Sequence, residues 1–269
     1  MKRLAIPLLR DCKAVSYTIS AMIITVTTIT LVLAASLYAY QILERQRGVA
    51  EFDVAKESML TYDDALENIA WKPKAARSAR FTIEYGFLEL MPSFGALRVN
   101  ATVDGSPYVL YSNTTGAMRY NIENHYVTFE TGYISYLIGN ESVLVTETTG
   151  SYGVAVIEQP IGWVTLTLYY RVRAMRTSVI EVGGENINYV DIWVIKPVIS
   201  RWYSYIHNFD LKARCLQVHS TPYGPYNVAQ NGTSTITAQV GDLTNSASVP
   251  LTAGKVVFNV IVAEVQVTV

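Results

Sequence analysis

Cysteine, histidine and charge are all scarce in this chain, and each scarcity removes a class of explanation. There are two cysteines, Cys12 and Cys215; if the segment carrying Cys12 is removed, no disulfide within the chain is possible and stability has to come from a hydrophobic core. The three histidines, His125, His207 and His219, have neither metal-ligand spacing nor a carboxylate partner nearby in sequence. Gly-x-Ser-x-Gly, a phosphate-binding glycine loop and His-Glu-x-x-His are all missing. No catalytic residues, metal ligands or cofactor are therefore expected, and the chain does not read as an enzyme. The adjacent acids Asp63 and Asp64 read as a solvated helix face. Lys and Arg number 21 against 22 Asp and Glu. Beyond residue 50 a basic cluster is formed by Lys72, Lys74, Arg77 and Arg80. That is no nucleic-acid signal; these four flank a helix end, where they suit headgroups or the helix C-terminus. No internal repeat is evident.

What the chain does have is an uncharged run. Residues 14–43 contain no charged side chain and follow the basic stub MKRLAIPLLRDCK. A helix rising 1.5 Å per residue crosses the hydrocarbon core in about 20 residues, so the run is long enough to span with length to spare. Lys2, Arg3, Arg10 and Lys13 stand against the single Asp11. The positive-inside rule keeps that end in the cytoplasm and sends the rest of the chain outward.

The apolar stretch is too long for the core of an ordinary secretory signal, which is followed by its cleavage site. Cys12 does not suit a lipoprotein signal, because Arg10 and Asp11 occupy positions that would need small neutral residues. A basic residue, a small residue and then an uncharged helix, here Lys13-Ala14-Val15, resembles the class III signal of archaeal type IV pilins and archaellins. The resemblance covers about the first 70 residues. It implies cleavage by a prepilin-type peptidase between Ala14 and Val15, with the apolar helix retained for self-association in a filament. Two positions depart from the family pattern. Ala14 replaces the commoner glycine, and Ile19 stands where many bacterial relatives have a glutamate, which leans towards an archaeal source. Removal of the leader would leave Cys215 alone, as a buried apolar residue. An uncleaved signal anchor is the other reading of the same pattern.

Helical spacing continues beyond the apolar run. Phe52, Ala55, Met59, Tyr62, Leu66 and Ile69 recur every three or four residues, which places them on one face. Glu51, Lys56, Glu57, Asp63, Asp64 and Glu67 fill the rest, and Pro73 ends the run. Gly48 is the expected weak point. The stripe implies a packing partner, with Phe52, Met59, Leu66 and Ile69 as the contacts between helix and head; a juxtamembrane stalk is the alternative. Ser16, Thr18, Ser20, Thr25, Thr27, Thr28, Thr30 and Ser36 sit inside the apolar run, where small hydroxyl residues let helices approach closely or bond back to the i−4 carbonyl.

After Arg77 the period changes to alternation. Strand patterns occupy residues 79–85, 126–129, 142–146, 163–172, 190–195, 255–262 and 265–269. Turn signals fall at Asp104-Gly105, Gly139-Asn140, Gly150, Gly183-Gly184, Pro222 to Pro225 and Gly241-Asp242. Ser220 to Thr235 reads as a long loop or subdomain junction. The division expected is a leader over 1–14, an apolar helix over 15–47, an amphipathic continuation over 48–76 and a β-rich head over 77–269. The fold class is α+β, with the head a sandwich or two adjoining sheets.

Four sequons, at Asn100, Asn113, Asn140 and Asn231, all lie in the head near turn signals, where a glycan would be solvated. Nineteen tyrosines suit sheet faces first and adhesive contacts second. The resemblance thus leads to a surface filament subunit, a minor or specialised one given the large head, whose partners are its own copies, the peptidase, the membrane, other pilins and an S-layer. The alternative is an anchored β-domain that binds a surface glycan, S-layer or other partner.

Overall fold

The computed structural model describes residues 11–146 and 150–269, with side chains from residue 17 onward. The chain divides into two compact units, Met1–Arg47 and Gly48–Val269. The class is α+β: one long N-terminal helix, α1 (Asp11–Ala70), and a large sheet.

The helix ends at Ala70 rather than at residue 76. Pro73 has no N–H to offer and excludes Lys72 from the α region. Lys72 N closes the last turn on Ile69 O at 2.9 Å, and Lys74 takes a left-handed conformation at φ 71. Lys74 N then donates to Cys215 O at 2.9 Å, and Cys215 N donates to Ala75 O at 2.9 Å, which draws the chain into the sheet. Gly48 does not interrupt the helix. A Cβ there would stand 2.6 Å from Tyr126 Cβ, so the glycine permits a close approach of that aromatic side chain.

The strands are β1 (Ala76–Val103), β2 (Ser106–Glu123), β3 (Ile134–Ile138), β4 (Leu144–Val145), β5 (Gly153–Glu158), β6 (Trp163–Tyr170), β7 (Val172–Val182), β8 (Glu185–Val198), β9 (Tyr203–Val228), β10 (Gly232–Val240), β11 (Leu243–Leu251) and β12 (Gly254–Thr268). They are hydrogen-bonded in the order β3-β5-β6-β2-β1-β9-β12-β8-β7-β4, with β10 added to the far half of β1 and β11 to β10. Most neighbours are antiparallel; β12 with β8 and β4 with β7 are parallel.

Two hydrophobic cores share these strands. The first packs the α1 residues from Phe52 to Ala70 against Phe81, Leu88, Met118, Tyr120, Leu166 and Val265, among others. The second contains only strand and loop residues, including Val99, Leu110, Ile192, Ile236, Phe258 and Val260. Strands that serve both cores must bury both faces or change which face they bury. β5 and β6 bury both faces along their length, with Val154, Val156 and Tyr169 in the second core and Ala155, Ile157, Leu168 and Tyr170 in the first; in β2 and β1 the change of face falls at adjacent buried pairs, Ala117–Met118 and Leu90–Met91. These two pairs stand beside one another in register. Val194–Ile195 in β8 and Val262–Ala263 in β12 are likewise paired side by side.

Three local expectations are corrected. Residues 126–129 form no strand; their aromatic side chains are used elsewhere, Tyr126 against Tyr85 and Phe129 against Phe52 and Tyr133. Residues 142–146 contribute only the two-residue β4. Ser220 to Thr235 is not a long loop, since β9 runs to Val228 and β10 begins at Gly232. The prolines at 222 and 225 are tolerated there because this part of β9 pairs with β12 alone, as an edge.

Candidate functional site

In the first unit, α1 is apolar all round and its side chains lie open. Met22, Ile24, Leu31, Leu37 and Tyr40 are each about two-thirds exposed, and Val26, Ile29 and Leu33 more than half. It is the one helix, among the described residues, long and apolar enough to cross a membrane. The threonine hydroxyls inside it do not need water. Thr25, Thr27, Thr28 and Thr30 donate to the carbonyls of Ala21, Ile23, Ile24 and Val26 at 2.5–2.8 Å. An apolar environment tolerates polar groups satisfied within their own helix. Of the processing residues, Lys13, Ala14 and Val15 fall within the α1 backbone, while the basic positions 2, 3 and 10 lie outside the described residues.

In the second unit, the rest of α1 is seated on the sheet. Phe52, Met59, Leu66 and Ile69 are all buried in the first core, with Phe52 against the rings of Tyr120 and Phe129. Two carboxylates fasten the helix. Glu51 accepts the backbone N–H groups of Glu84 at 2.7 Å, Tyr85 at 2.9 Å and Gly86 at 2.9 Å, and the Tyr120 hydroxyl at 2.7 Å. Those amides become available because the pairing of β1 with β9 slips between Ile83 and Leu88. Sixteen residues on, Glu67 accepts the N–H groups of Tyr152 at 2.8 Å and Gly153 at 3.0 Å, and the Ser151 hydroxyl at 3.1 Å. Charge-assisted bonds of this kind are the stronger class.

Between the two lies Asp63, buried beside Tyr62, Tyr170 and Gly153. Asp63 Oδ1 and both tyrosine hydroxyls have no hydrogen-bond partner among the described residues. Burial, then the neighbouring negative charge of Glu67, pushes the Asp63 carboxyl up to about 7. The Tyr170 hydroxyl, close but outside hydrogen-bond geometry, and the Arg171 charge pull weakly the other way. Gly153 has no room for a side chain, since a Cβ would overlap the Asp63 carboxylate.

The sequence pattern assigned these acids to the solvated side of the helix, and for Asp63 this is corrected. Glu51, Ala55, Met59, Asp63 and Glu67 form one i, i+4 row. A row that contains two buried apolar residues faces the sheet, and that spacing is the signal by which the acids could have been found.

Asn113, Asn140 and Asn231 are exposed; Asn100 is half-buried on β1 between β2 and β10. The Asn140 side-chain oxygen accepts from Ser142 N at 3.0 Å and Arg171 Nη1 at 3.0 Å, and Asn231 Oδ1 accepts from Ala253 N at 2.8 Å. Cys215 is buried, its thiol 3.1 Å from the Ala70 carbonyl at the helix end. Among the described residues no group of three His, Cys, Asp or Glu is arranged to hold a metal ion. Comparison with protein-family models, with curated proteins and with solved structures finds no match to this chain.

Proposed function

We propose that this chain is a pilin-like subunit of an archaeal type IV pilus-type surface filament. In this reading a prepilin-type peptidase cuts after Ala14, and copies assemble through the helix of residues 15–47. One observation carries the reading: the first part of α1 exposes apolar side chains on every side. A helix hydrophobic all round is stable only where its surface is removed from water. A bilayer does this before assembly, and the helices of other copies do it afterwards. The self-bonded threonines suit both surroundings. The head is the outward part. Its second core, enclosed without any helix residue, supports a sandwich-like architecture. Its exposed sequons, at Asn113, Asn140 and Asn231, suit glycosylation, and its outer surface suits contacts with other pilins or an S-layer.

The test is the N-terminal residue of the native protein, read by mass spectrometry on sheared surface material and on membranes separately. Val15 at the start of the sheared chain is the expected result. Met1 retained, and found in membranes alone, overturns assembly and leaves a signal-anchored β-domain. Replacing Lys13 and Ala14 together by glutamate should abolish both the mass change and the filaments.

A further inference from the structure

The face of β2, β6 and β5 turned away from α1 is polar yet sheltered. Two rows cross it in register, Arg119–Thr167–Val156 and Asn121–Thr165–Glu158. Thr165, Thr167 and Asn121 are buried, and Arg119 Nε donates to Thr167 Oγ1 at 3.1 Å. Asn121 Nδ2 has no partner among the described residues. An outer sheet face is ordinarily wet, or is covered and apolar. This one instead floors two cavities of about 360 and 370 Å³, which share Arg119, Ile134 and Glu158 in their linings.

Both walls are fixed in place. One is β3, where Ile134 and Tyr136 stand opposite Glu158 and Val156 and remain 58% and 38% exposed. Behind it Gln159 N donates to Tyr133 O at 3.2 Å, and Gln159 Oε1 accepts from Phe129 N. The other wall is the β10–β11 turn at Gly241-Asp242, with Phe94 stacked on Tyr169 at 5.3 Å beside it. Gly241 N donates to Ala96 O at 2.9 Å, and Gln239 Nε2 donates to Gly241 O at 2.9 Å. A concave site with apolar edges and a few convergent polar groups, held before any ligand arrives, is the usual form of a small-ligand site.

The chemistry of the lining selects the ligand. Arg119 donates only, while Glu158 and Asp242 accept only when ionised. Among the described residues none of the three is in an ion pair. A phosphate or carboxylate would face two carboxylates against one guanidinium. A purely apolar ligand would leave the Glu158 carboxylate and the terminal N–H groups of Arg119 covered and unsatisfied, while the Thr165 hydroxyl, which donates to Glu158 O at 3.3 Å, keeps only a spare acceptor. A neutral ligand rich in hydroxyls, which both donate and accept, and bearing apolar C–H faces satisfies all of these groups. We propose that the groove binds a short neutral oligosaccharide, with its sugar faces against Tyr136 and Ile134 and its hydroxyls on Glu158, Arg119 and Thr165. This site stands within the head and is independent of how the N-terminus is processed.

The test is calorimetric titration of the full chain, held in an amphipathic polymer free of sugar groups, with neutral tetrasaccharides of glucose, mannose and N-acetylglucosamine. At least one should bind saturably. Glu158→Ala and Ile134→Glu should each weaken it about tenfold or more, with the melting temperature unchanged. Trp202→Ala, at an exposed residue outside the groove, should leave the affinity as it was. No saturable binding of any of the three sugars overturns the proposal, as does binding indifferent to both groove variants or a preference for tetragalacturonate. Chain made with and without glycans on its sequons separates two sources. A foreign glycan leaves both forms equally titratable; the chain's own glycans would already occupy the groove of the glycosylated form.

Discussion

Tyr120 on β2 and Glu51 on α1 meet through a 2.7 Å hydrogen bond that the phenol donates to Oε1. Burial first, and then the adjacent carboxylate, hold the Tyr120 phenol well above its ordinary value. It is therefore a donor around neutral pH, and together with three backbone amides it saturates Glu51.

Glu51→Ala therefore leaves several sheltered donors without an acceptor and should lower the unfolding free energy by about 2–4 kcal/mol. Tyr120→Phe removes one donor and should lose about 1 kcal/mol. Urea unfolding of the full chain in micelles, followed by far-ultraviolet circular dichroism, measures both. An Ala variant with the wild-type midpoint would show that the carboxylate does not hold the helix.

Gly153→Ala should be destabilising by about 1–3 kcal/mol through overpacking against Asp63. Because the collision is with one side chain, Asp63→Ala in the same chain should recover much of the loss. A double-mutant cycle is expected to give a coupling of about 1 kcal/mol or more. Strict additivity would place the strain elsewhere.

Asp63 also sets the direction of a pH dependence. Its folded-state value is raised from 3.8 to about 7, so between those limits the folded chain holds a proton that the unfolded chain has released. The stabilisation is fully present below about pH 4 and is lost as pH rises to about 7, on the order of a few kcal/mol. Thermal unfolding from pH 4 to 8 should show this fall, and Asp63→Asn should flatten it. A wild-type curve that rises across the same range would refute the assignment.

Leu66 is fully buried where α1 meets the sheet. Leu66→Ala should lose about 2–5 kcal/mol, and Leu66→Asp or Phe52→Asp more, since each adds a buried carboxylate without a partner. Differential scanning calorimetry distinguishes these from exposed-site controls such as Ile180→Asp on β7, which should stay within about 0.5 kcal/mol of wild type.

How much of this was legible in the sequence depends on how local the cause is. The apolar run and the stripe through Phe52, Met59, Leu66 and Ile69 are one-dimensional patterns, because a helix returns to the same face every three or four residues. Alternation marks β6, β8 and β12 for the equivalent reason. The partners of Glu51 and Glu67 leave no such trace. They are amides freed by a register slip in β1 and by the approach to β5, and pairing across the sheet creates both. Sorting residues by polarity thus sent Asp63 to the wrong side of the helix. Strand propensity misled at residues 126–129, where the aromatics serve packing instead of a ladder. The groove was invisible for a plainer reason. Arg119, Ile134, Glu158 and Asp242 come from β2, β3, β5 and the β10–β11 turn, and topology alone brings them together.

The adjacent buried pairs have a mechanical meaning. Because β1, β2, β8 and β12 each enter both hydrophobic clusters and cross between them at Leu90–Met91, Ala117–Met118, Val194–Ile195 and Val262–Ala263, these four strands tie the clusters together, although β7, β10 and β11 serve the second alone. Peeling the helix from its seat strips one side of the same ribbons whose far ends hold the other cluster closed. The head should therefore yield to load as a single cooperative body rather than in stages, so that its resistance to being pulled belongs to the whole sheet and not to the helical contact alone.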